Sequence, residues 1–195
     1  MRVSQVERNT SETQISLSLH LDGSGRYTGD TGIGFLDHML SQVARHGLLD
    51  LEVHARGDTH VDHHHTVEDV GICLGQALVR ALAGAAGIRR FGHAVAPMDE
   101  ALVLVAIDIC GRGYAGIELD WGAAKIGDFD TELIQECLRA FATNGSLPLH
   151  VRQLSGANAH HIAEATFKGL ALALRDAVAL DPRQPGIPST KGSLL

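Results

Sequence analysis

Two short histidine-rich segments carry the residues best suited to chemistry. Each has the pattern His-His-x-x-Glu, formed by His64, His65 and Glu68 in the first segment and by His160, His161 and Glu164 in the second. On a helix, the glutamate shares a face with both histidines, whereas two consecutive histidines diverge by about 100° around the axis. Each segment therefore indicates ligands for two metal ions, each completed by side chains from elsewhere. Nitrogen and carboxylate ligands without thiolate favour Mn²⁺, Fe²⁺ or Zn²⁺.

A polar helix start is the simpler interpretation of one such segment alone, because a glutamate in the first turn complements the helix dipole. Two copies at equivalent places favour metal binding instead. His38 lies on a short amphipathic segment, and alignment of the two halves places Glu136 opposite it. Both are candidate ligands, although a lone histidine there is also compatible with an ordinary surface or core residue. The glutamate spacing does not select His63, which we expect to be a neighbour of the site.

Cationic side chains in a chain of net charge −7 indicate a site for an anion. Arg112 lies in a glycine-rich turn, and the segment Ser189–Gly192 offers hydroxyl groups, a cation and backbone amides that suit a phosphate. Arg90 follows a helix end, where a cation also interacts favourably with the dipole, so both interpretations stay open. Lys168 comes four residues after Glu164 and is either a helix ion pair or a cation beside the metal site.

The composition excludes several classes of protein. The 195 residues are 45% hydrophobic, which is enough for a packed core and argues against a disordered chain. The negative net charge argues against general binding to nucleic acid or to a membrane surface. The longest apolar run, residues 101–107, is too short to span a bilayer, and the first residues show no apolar signal segment. Three unclustered cysteines are typical of a reducing compartment, so we expect a cytoplasmic protein.

Periodicity in the sequence predicts the elements that must position these side chains. The predicted helices are residues 35–46, 66–86, 130–143 and 162–180, and the predicted strands are residues 13–21, 49–55, 101–109, 114–119 and 149–154. Each histidine pair lies at the start of a long helix. The proline-rich segment 181–195 is predicted to be an extended tail.

The second half of the chain repeats the first. Besides the histidine pairs, residues 22–27 match 108–114, and residues 46–53 match 144–151. We therefore predict an α+β fold of two β-β-α-β-α half-domains related by a pseudo-two-fold axis, with two sheets and packed helices. The half-domains, about residues 1–90 and 91–180, form one domain that is followed by a substrate-binding tail at 181–195.

Together these segments resemble the imidazoleglycerol-phosphate dehydratase family of histidine biosynthesis. The resemblance runs along nearly the whole chain and is most specific in the two histidine motifs and in Pro-Ser-Thr-Lys-Gly at residues 188–192. Other matching segments are Arg8-x-Thr10-x-Glu12, Gly34–Leu40, Ala96–Glu100, Asp108-x-x-Gly-Arg112 and Phe167-Lys168. Because no phosphatase-type segment precedes them, the chain is similar to the monofunctional form.

The resemblance implies a hydro-lyase with two Mn²⁺ ions per active site, built between the subunits of a 24-subunit shell. The implied metal ligands are His38, His64, His65, Glu68, Glu136, His160, His161 and Glu164. The implied contacts to the phosphorylated imidazole substrate are Glu12, His38, Gln42, His46, His64, Arg90, Arg112, His160, Lys168, Ser189 and Lys191. Glu12 is the implied acid–base group, although a metal-bound water or another carboxylate would also serve.

Two positions depart from the family pattern, and two other functions compete with it. Glu136 stands where many relatives have a further ligand histidine, and His63 stands where an aspartate is common. A histidine-rich metal buffer is one competitor, but it needs no organised anion site. A dinuclear hydrolase of phosphate esters is the other, and it would release inorganic phosphate.

Overall fold

The structure, a computed structural model, describes residues 1–194. The first half of the chain forms β1 (Val3–Asn9), β2 (Thr13–His20), β3 (Tyr27–Asp30), α1 (Gly34–Gly47), β4 (Asp50–Gly57) and α2 (His64–Leu82). The second half forms β5 (Phe91–Met98), β6 (Ala101–Asp108), β7 (Tyr114–Glu118), β8 (Lys125–Ile126), β9 (Phe129–Asp130), α3 (Glu132–Asn144), β10 (Pro148–Ser155) and α4 (Ala159–Val178). Within the described residues, no helix combines the length and the hydropathy that a membrane span requires.

The strands form two four-stranded sheets of the same topology. The first sheet has the order β1-β2-β4-β3 and the second has the order β5-β6-β10-β7. In each sheet the first three strands are antiparallel, and the last strand joins its neighbour in parallel. The short strands β8 and β9 pair separately.

The four helices lie between the two sheets. Helices α1 and α2 pack on the first sheet, while α3 and α4 pack on the second. Helix α1 also packs against α4, and α2 packs against α3, so every helix contacts a helix of the other half. Alternate residues on the central strands face these helices, such as Leu17 and Leu19 on β2 and Val103 and Val105 on β6. Burial of these aliphatic side chains stabilises the layered arrangement.

The predicted α+β fold, with two sheets and packed helices, is confirmed. The predicted β-β-α-β-α unit is one strand short, however, because each half of the structure begins with three strands rather than two. The edge strand β5 was missed because its fully buried residues, Gly92 and Ala96, are small. A Cβ on Gly92 would lie 1.9 Å from the Ala173 carbonyl oxygen, so the close approach of α4 removes the apolar alternation that identifies a strand. The division into repeats 1–90 and 91–180 stays a prediction, which the matching sheet topology supports.

Candidate functional site

The two histidine pairs occupy the first turns of α2 and α4. A side-chain oxygen two residues before each pair accepts hydrogen bonds from the helix start. The Asp62 carboxylate accepts one from the His64 amide at 2.7 Å, and the Asn158 amide oxygen accepts one from the His160 amide at 2.9 Å. Asn158 is the N-cap of α4, whereas the N-cap of α2 is His63, which makes no side-chain cap hydrogen bond. Both pairs lie at helix N-termini, after the loops that follow β4 and β10, as the sequence predicts.

One compact cluster of possible metal ligands lies between α1 and α4. The Nε2 atoms of His38 and His160 lie 2.9 and 3.1 Å from the same carboxylate oxygen, Oε1 of Glu164. All three ligand atoms lie within 4.8 Å of one another. Bonds of about 2.0–2.2 Å from nitrogen and oxygen to a divalent ion require ligand atoms about this far apart. The three residues therefore fit such an ion.

The Glu164 carboxylate is buried but stays ionised. Burial raises its pKa, whereas hydrogen bonds from Lys168, His38 and His160 lower it, and the net result is a pKa of about 2. The Lys168 ammonium group lies 2.5 Å from the other carboxylate oxygen, so Lys168 forms the helix ion pair and also lies beside a candidate metal ligand. An anionic ligand and a cation are thus available side by side.

A polar stripe on α1 continues this cluster. His38, Gln42 and His46 are spaced four residues apart and so share one face of the helix. The Nε2 atom of His46 lies 3.0 Å from the Gln42 amide oxygen. Burial and the nearby charge of Lys168 lower the pKa of His46, which favours a neutral ring at neutral pH. The structure therefore brings together six of the residues implied as metal or substrate contacts: His38, Gln42 and His46 on α1, and His160, Glu164 and Lys168 on α4.

The corresponding part of the first half is more open. The Nε2 atom of His64 lies 4.0 Å from the Glu68 carboxylate, and the Nε2 atom of His65 lies 3.9 Å from the Glu12 carboxylate. The Nδ1 atom of His65 faces Asp58, whose carboxylate oxygens lie 3.0 and 3.1 Å away. This hydrogen bond raises the pKa of His65.

His161 has a similar environment in the second half. Its Nδ1 atom lies 2.7 Å from the Glu100 carboxylate, and its Nε2 atom lies 3.7 Å from the Asp99 carboxylate. The hydrogen bond to Glu100 raises the pKa of His161 and lowers that of Glu100 to about 2. Sequence reasoning did not assign a role to Asp58 or Glu100, although the resemblance included the segment that ends at Glu100.

Glu136 and His63 have partners other than a ligand cluster. The Glu136 carboxylate pairs with Arg139 at 2.5 Å on the exposed side of α3, and within residues 1–194 it joins no group of three ligand atoms. His63 packs against Phe129, with 6.4 Å between the ring centroids. Phe129 contacts Phe35, and Phe35 contacts the ring of His160. These aromatic contacts connect the starts of α2 and α4.

The predicted phosphate contacts lie at the opposite end of the second sheet. Arg90 donates two hydrogen bonds to Asp108 and a third to the Pro188 carbonyl, so its guanidinium fastens the tail to the sheet. Arg112, Ser189 and Lys191 lie in the adjoining loop and tail, where Arg112 and Lys191 are exposed. The eight residues of β6 separate this end from Glu100, a distance of about 23 Å along the strand.

Comparison with known proteins decides the family. A family model described as imidazoleglycerol-phosphate dehydratase matches residues 31–174. The chain is 59% identical over 193 residues to the imidazoleglycerol-phosphate dehydratase of Moorella thermoacetica, covering 99% of this chain and 98% of the relative. The chain belongs to the imidazoleglycerol-phosphate dehydratase family. It is 55% identical to the Jannaschia sp. member over 195 residues, the whole of both chains. The predicted membership of this hydro-lyase family is confirmed.

Solved structures of imidazoleglycerol-phosphate dehydratases share the fold. The crystal structure of the Staphylococcus aureus member has a TM-score of 0.84 and 36% identity, covering 92% of this chain and 99% of that one. The Pyrococcus furiosus member, crystallised with (S)-C348, has a TM-score of 0.84 and 39% identity, covering 97% and 100%. The arrangement of two sheets around four helices is therefore the arrangement of this family.

Proposed function

We propose that the chain removes water from D-erythro-imidazole glycerol phosphate to give imidazole acetol phosphate, in L-histidine biosynthesis. The observation that carries this proposal is the cluster of His38, His160 and Glu164 in a chain of the dehydratase family. A site with nitrogen and carboxylate ligands and neighbouring half-buried histidines suits a substrate that is itself an imidazole. The hydrogen that leaves is not acidic, because no carbonyl group adjoins its carbon, so charge stabilisation has to come from the site.

The proposed metal is Mn²⁺, with two ions per active site. Mn²⁺ accepts both oxygen and nitrogen ligands, which agrees with the mixed donor set. The cluster of His38, His160 and Glu164 would hold one ion, together with ligands from the His-His-x-x-Glu segment on α2. The other proposed metal ligands are His64, His65, Glu68, Glu136 and His161. When bound, such ions supply Lewis-acid stabilisation of negative charge on the imidazole ring.

Proton transfer is assigned to Glu12. Its carboxylate accepts no hydrogen bond within residues 1–194 and is half exposed beside the Nε2 atom of His65. An unpaired carboxylate at the entrance of the site can accept a proton from a substrate carbon and return it to a leaving hydroxyl group. Gln42 and His46 are placed to donate or accept hydrogen bonds with the glycerol hydroxyls, and Lys168 stabilises negative charge beside Glu164.

The substrate phosphate is assigned to Arg112, Ser189 and Lys191, with Arg90 fastening the tail. Within one chain, strand β6, which is about 23 Å long, lies between these residues and Glu100, which contacts His161. A separation of this size is farther than one substrate molecule reaches. The site is therefore completed by another copy, and we propose a homo-oligomer, the 24-subunit shell expected for the family. A cytoplasmic location is also proposed, supported by three buried cysteines that form no disulfide.

Incubation of Mn²⁺-loaded protein with imidazole glycerol phosphate tests the function. The expected product is the ketone imidazole acetol phosphate, formed without release of inorganic phosphate. Removal of the metal with a chelator should abolish turnover, and returning Mn²⁺ should restore it. Release of inorganic phosphate would support a phosphate-ester hydrolase instead, and tight metal binding with no turnover of any phosphate ester would support a metal buffer.

A further inference from the structure

We propose that Glu100 and Asp58 are positioning residues, which hold His161 and His65 in the tautomer whose Nε2 atom is free to bind a metal ion. This proposal rests on the proposed metal centre. It adds that the two halves supply the orienting carboxylate from different loops. As a result, Glu12 is left available for proton transfer, whereas its counterpart Glu100 is not.

The contacts of Glu100 leave little freedom to its carboxylate. Oxygen Oε1 accepts hydrogen bonds from the backbone amides of Ala157 at 3.3 Å and Asn158 at 2.9 Å. Oxygen Oε2 is thereby directed at Nδ1 of His161, 2.7 Å away. A carboxylate only accepts hydrogen bonds, so Nδ1 carries the proton and the lone pair of the neutral ring is on Nε2. Carboxylates that orient ligand histidines in this way are a common part of metal sites.

Asp58 does the same for His65. Both of its carboxylate oxygens lie 3.0 to 3.1 Å from Nδ1 of His65. Within residues 1–194, His65 is the only hydrogen-bond partner of the Asp58 side chain. The Nε2 atom of His65 is again directed the opposite way, towards Glu12.

The topology shows that the two carboxylates are not equivalent. Glu12 directly precedes β2 and Glu100 directly precedes β6, so these two glutamates occupy the same hairpin position in the two sheets. Asp58 directly follows β4, and the residue that directly follows β10 is Gly156. The loop carboxylate of the first half therefore has no counterpart in the second.

The backbone of Gly156 explains why the second half has no carboxylate at the position of Asp58. Its φ of +120° is a conformation that side-chain-bearing residues rarely adopt, and a Cβ there would lie 2.7 Å from the Cα of Ala101. An aspartate cannot occupy this position without moving the backbone, so the hairpin glutamate has to orient His161. In the first half Asp58 orients His65, and the Glu12 carboxylate, 3.9 Å from Nε2 of His65, accepts no hydrogen bond within the described residues.

The isosteric substitution Glu100→Gln tests the proposal. The amide oxygen of glutamine can still accept the backbone hydrogen bonds from Ala157 and Asn158, which directs the NH₂ group at Nδ1 of His161. The ring must then accept at Nδ1 and carry its proton on Nε2, which removes the metal-binding lone pair. A role limited to holding the loop would survive this substitution. We expect the dissociation constant for Mn²⁺ to rise about 10- to 100-fold.

Three further variants complete the experiment, with Mn²⁺ affinity measured on the full chain by competition with a chelating indicator. Asp58→Ala should weaken Mn²⁺ binding in the same range, and no backbone hydrogen bond depends on that side chain. Glu12→Gln should leave Mn²⁺ affinity unchanged, as should Glu118→Gln, a control at an exposed carboxylate paired with Arg152. Excess Mn²⁺ should recover turnover in Glu100→Gln but not in Glu12→Gln.

Two results would overturn the proposal. One is an Mn²⁺ affinity of Glu100→Gln and Asp58→Ala equal to that of Glu118→Gln. The other is an equal loss of affinity in Glu12→Gln and Glu100→Gln, which would make the two hairpin glutamates equivalent ligands. Because Mn²⁺ affinity is measured without substrate, failure of the proposed dehydratase reaction would not change either result.

Discussion

In the proposed metal centre, protons and metal ions compete for the same ring nitrogens of the histidine pairs. The pKa values of His65 and His161 are raised by their hydrogen bonds to Asp58 and Glu100. A raised pKa means that these rings become protonated at a higher pH than an ordinary histidine, whose pKa is about 6.5. The Glu164 carboxylate, with a pKa of about 2, stays ionised throughout that range.

We therefore predict that Mn²⁺ is released as the pH falls through the range in which these rings take up a proton, which begins above the usual histidine pKa of about 6.5, and that histidine protonation controls the release. Equilibrium dialysis against Mn²⁺ between pH 8 and pH 5 measures it. The affinity should be constant at the alkaline end and fall steeply at the acidic end. An affinity that does not change over this range would show that the histidines are not the ligands.

The sequence and the structure describe the role of Glu136 differently. Alignment of the halves makes it a ligand, whereas in the structure its carboxylate pairs with Arg139. If an ion replaces that arginine, Glu136→Ala should loosen one of two Mn²⁺ ions, and Glu136→His should keep both, because Mn²⁺ accepts nitrogen as well as oxygen. Metal analysis of the purified variants measures this, with Glu132→Ala on the same helix as the control. Two tightly held ions in Glu136→Ala would make the residue an exposed helix side chain.

The residues that could be predicted from sequence are those that lie within a few positions of one another along the chain. Three- and four-residue spacings predicted candidate ligands on α2 and α4, because a helix fixes which side chains share a face, and the structure brings two of these candidates, His160 and Glu164, together. The orienting carboxylates could not be found in this way. Glu100 and His161 are 61 residues apart, and their contact depends on how the β5–β6 turn meets the start of α4.

Packing between helices of the two halves depends on small residues. A Cβ on Gly75 of α2 would lie 2.6 Å from the Phe141 carbonyl oxygen and the Gly145 amide nitrogen. Both are backbone atoms, so Gly75→Ala must push α2 and α3 apart. We predict destabilisation by about 1–3 kcal/mol, the usual cost of overpacking.

Denaturant unfolding at fixed protein and metal concentration measures this effect. The control is Gly34→Ala at the start of α1, where a Cβ meets no atom within 4 Å. That variant should match the wild type or be slightly more stable, since alanine favours a helix. Equal stability of the two variants would show that the α2–α3 contact is loosely packed.

Close packing of small residues also limited how well the helices and strands could be predicted from the sequence. The four helices were predicted because their apolar faces are continuous, but α2 was predicted four residues too long. It ends at Leu82, where Ala83 adopts the left-handed conformation. The edge strand β7 was predicted, but the edge strands β1, β3 and β5 were missed. Few large apolar residues mark their buried faces: β1 buries Ser4 and Val6, β3 is mostly exposed, and β5 buries Gly92 and Ala96. Tertiary contact, rather than local pattern, defines these strands.

At the scale of the whole molecule, the candidate ligand end and the candidate phosphate end of the site lie far apart in one chain. His38, His160 and Glu164 cluster between α1 and α4, whereas Arg112 and the tail lie at the far end of β6. Both ends are needed for a phosphorylated imidazole, so each complete site should combine the ligand end of one subunit with the phosphate end of another. Residues from two copies at one site also tie assembly to metal and substrate binding.

Mixing two inactive variants tests this arrangement. In the first variant, Arg112→Ala and Lys191→Ala together remove phosphate contacts, each expected to cost about 1.5–3 kcal/mol of substrate binding. In the second variant, His160→Ala removes a ligand. Neither should turn over substrate alone, but after metal removal, mixing and reassembly with Mn²⁺, random assortment leaves about a quarter of the sites with both ends intact. Mixing without reassembly is the control and should recover nothing. If reassembled mixtures stayed inactive while a mixture with wild-type subunits regained activity, both ends would have to come from one subunit.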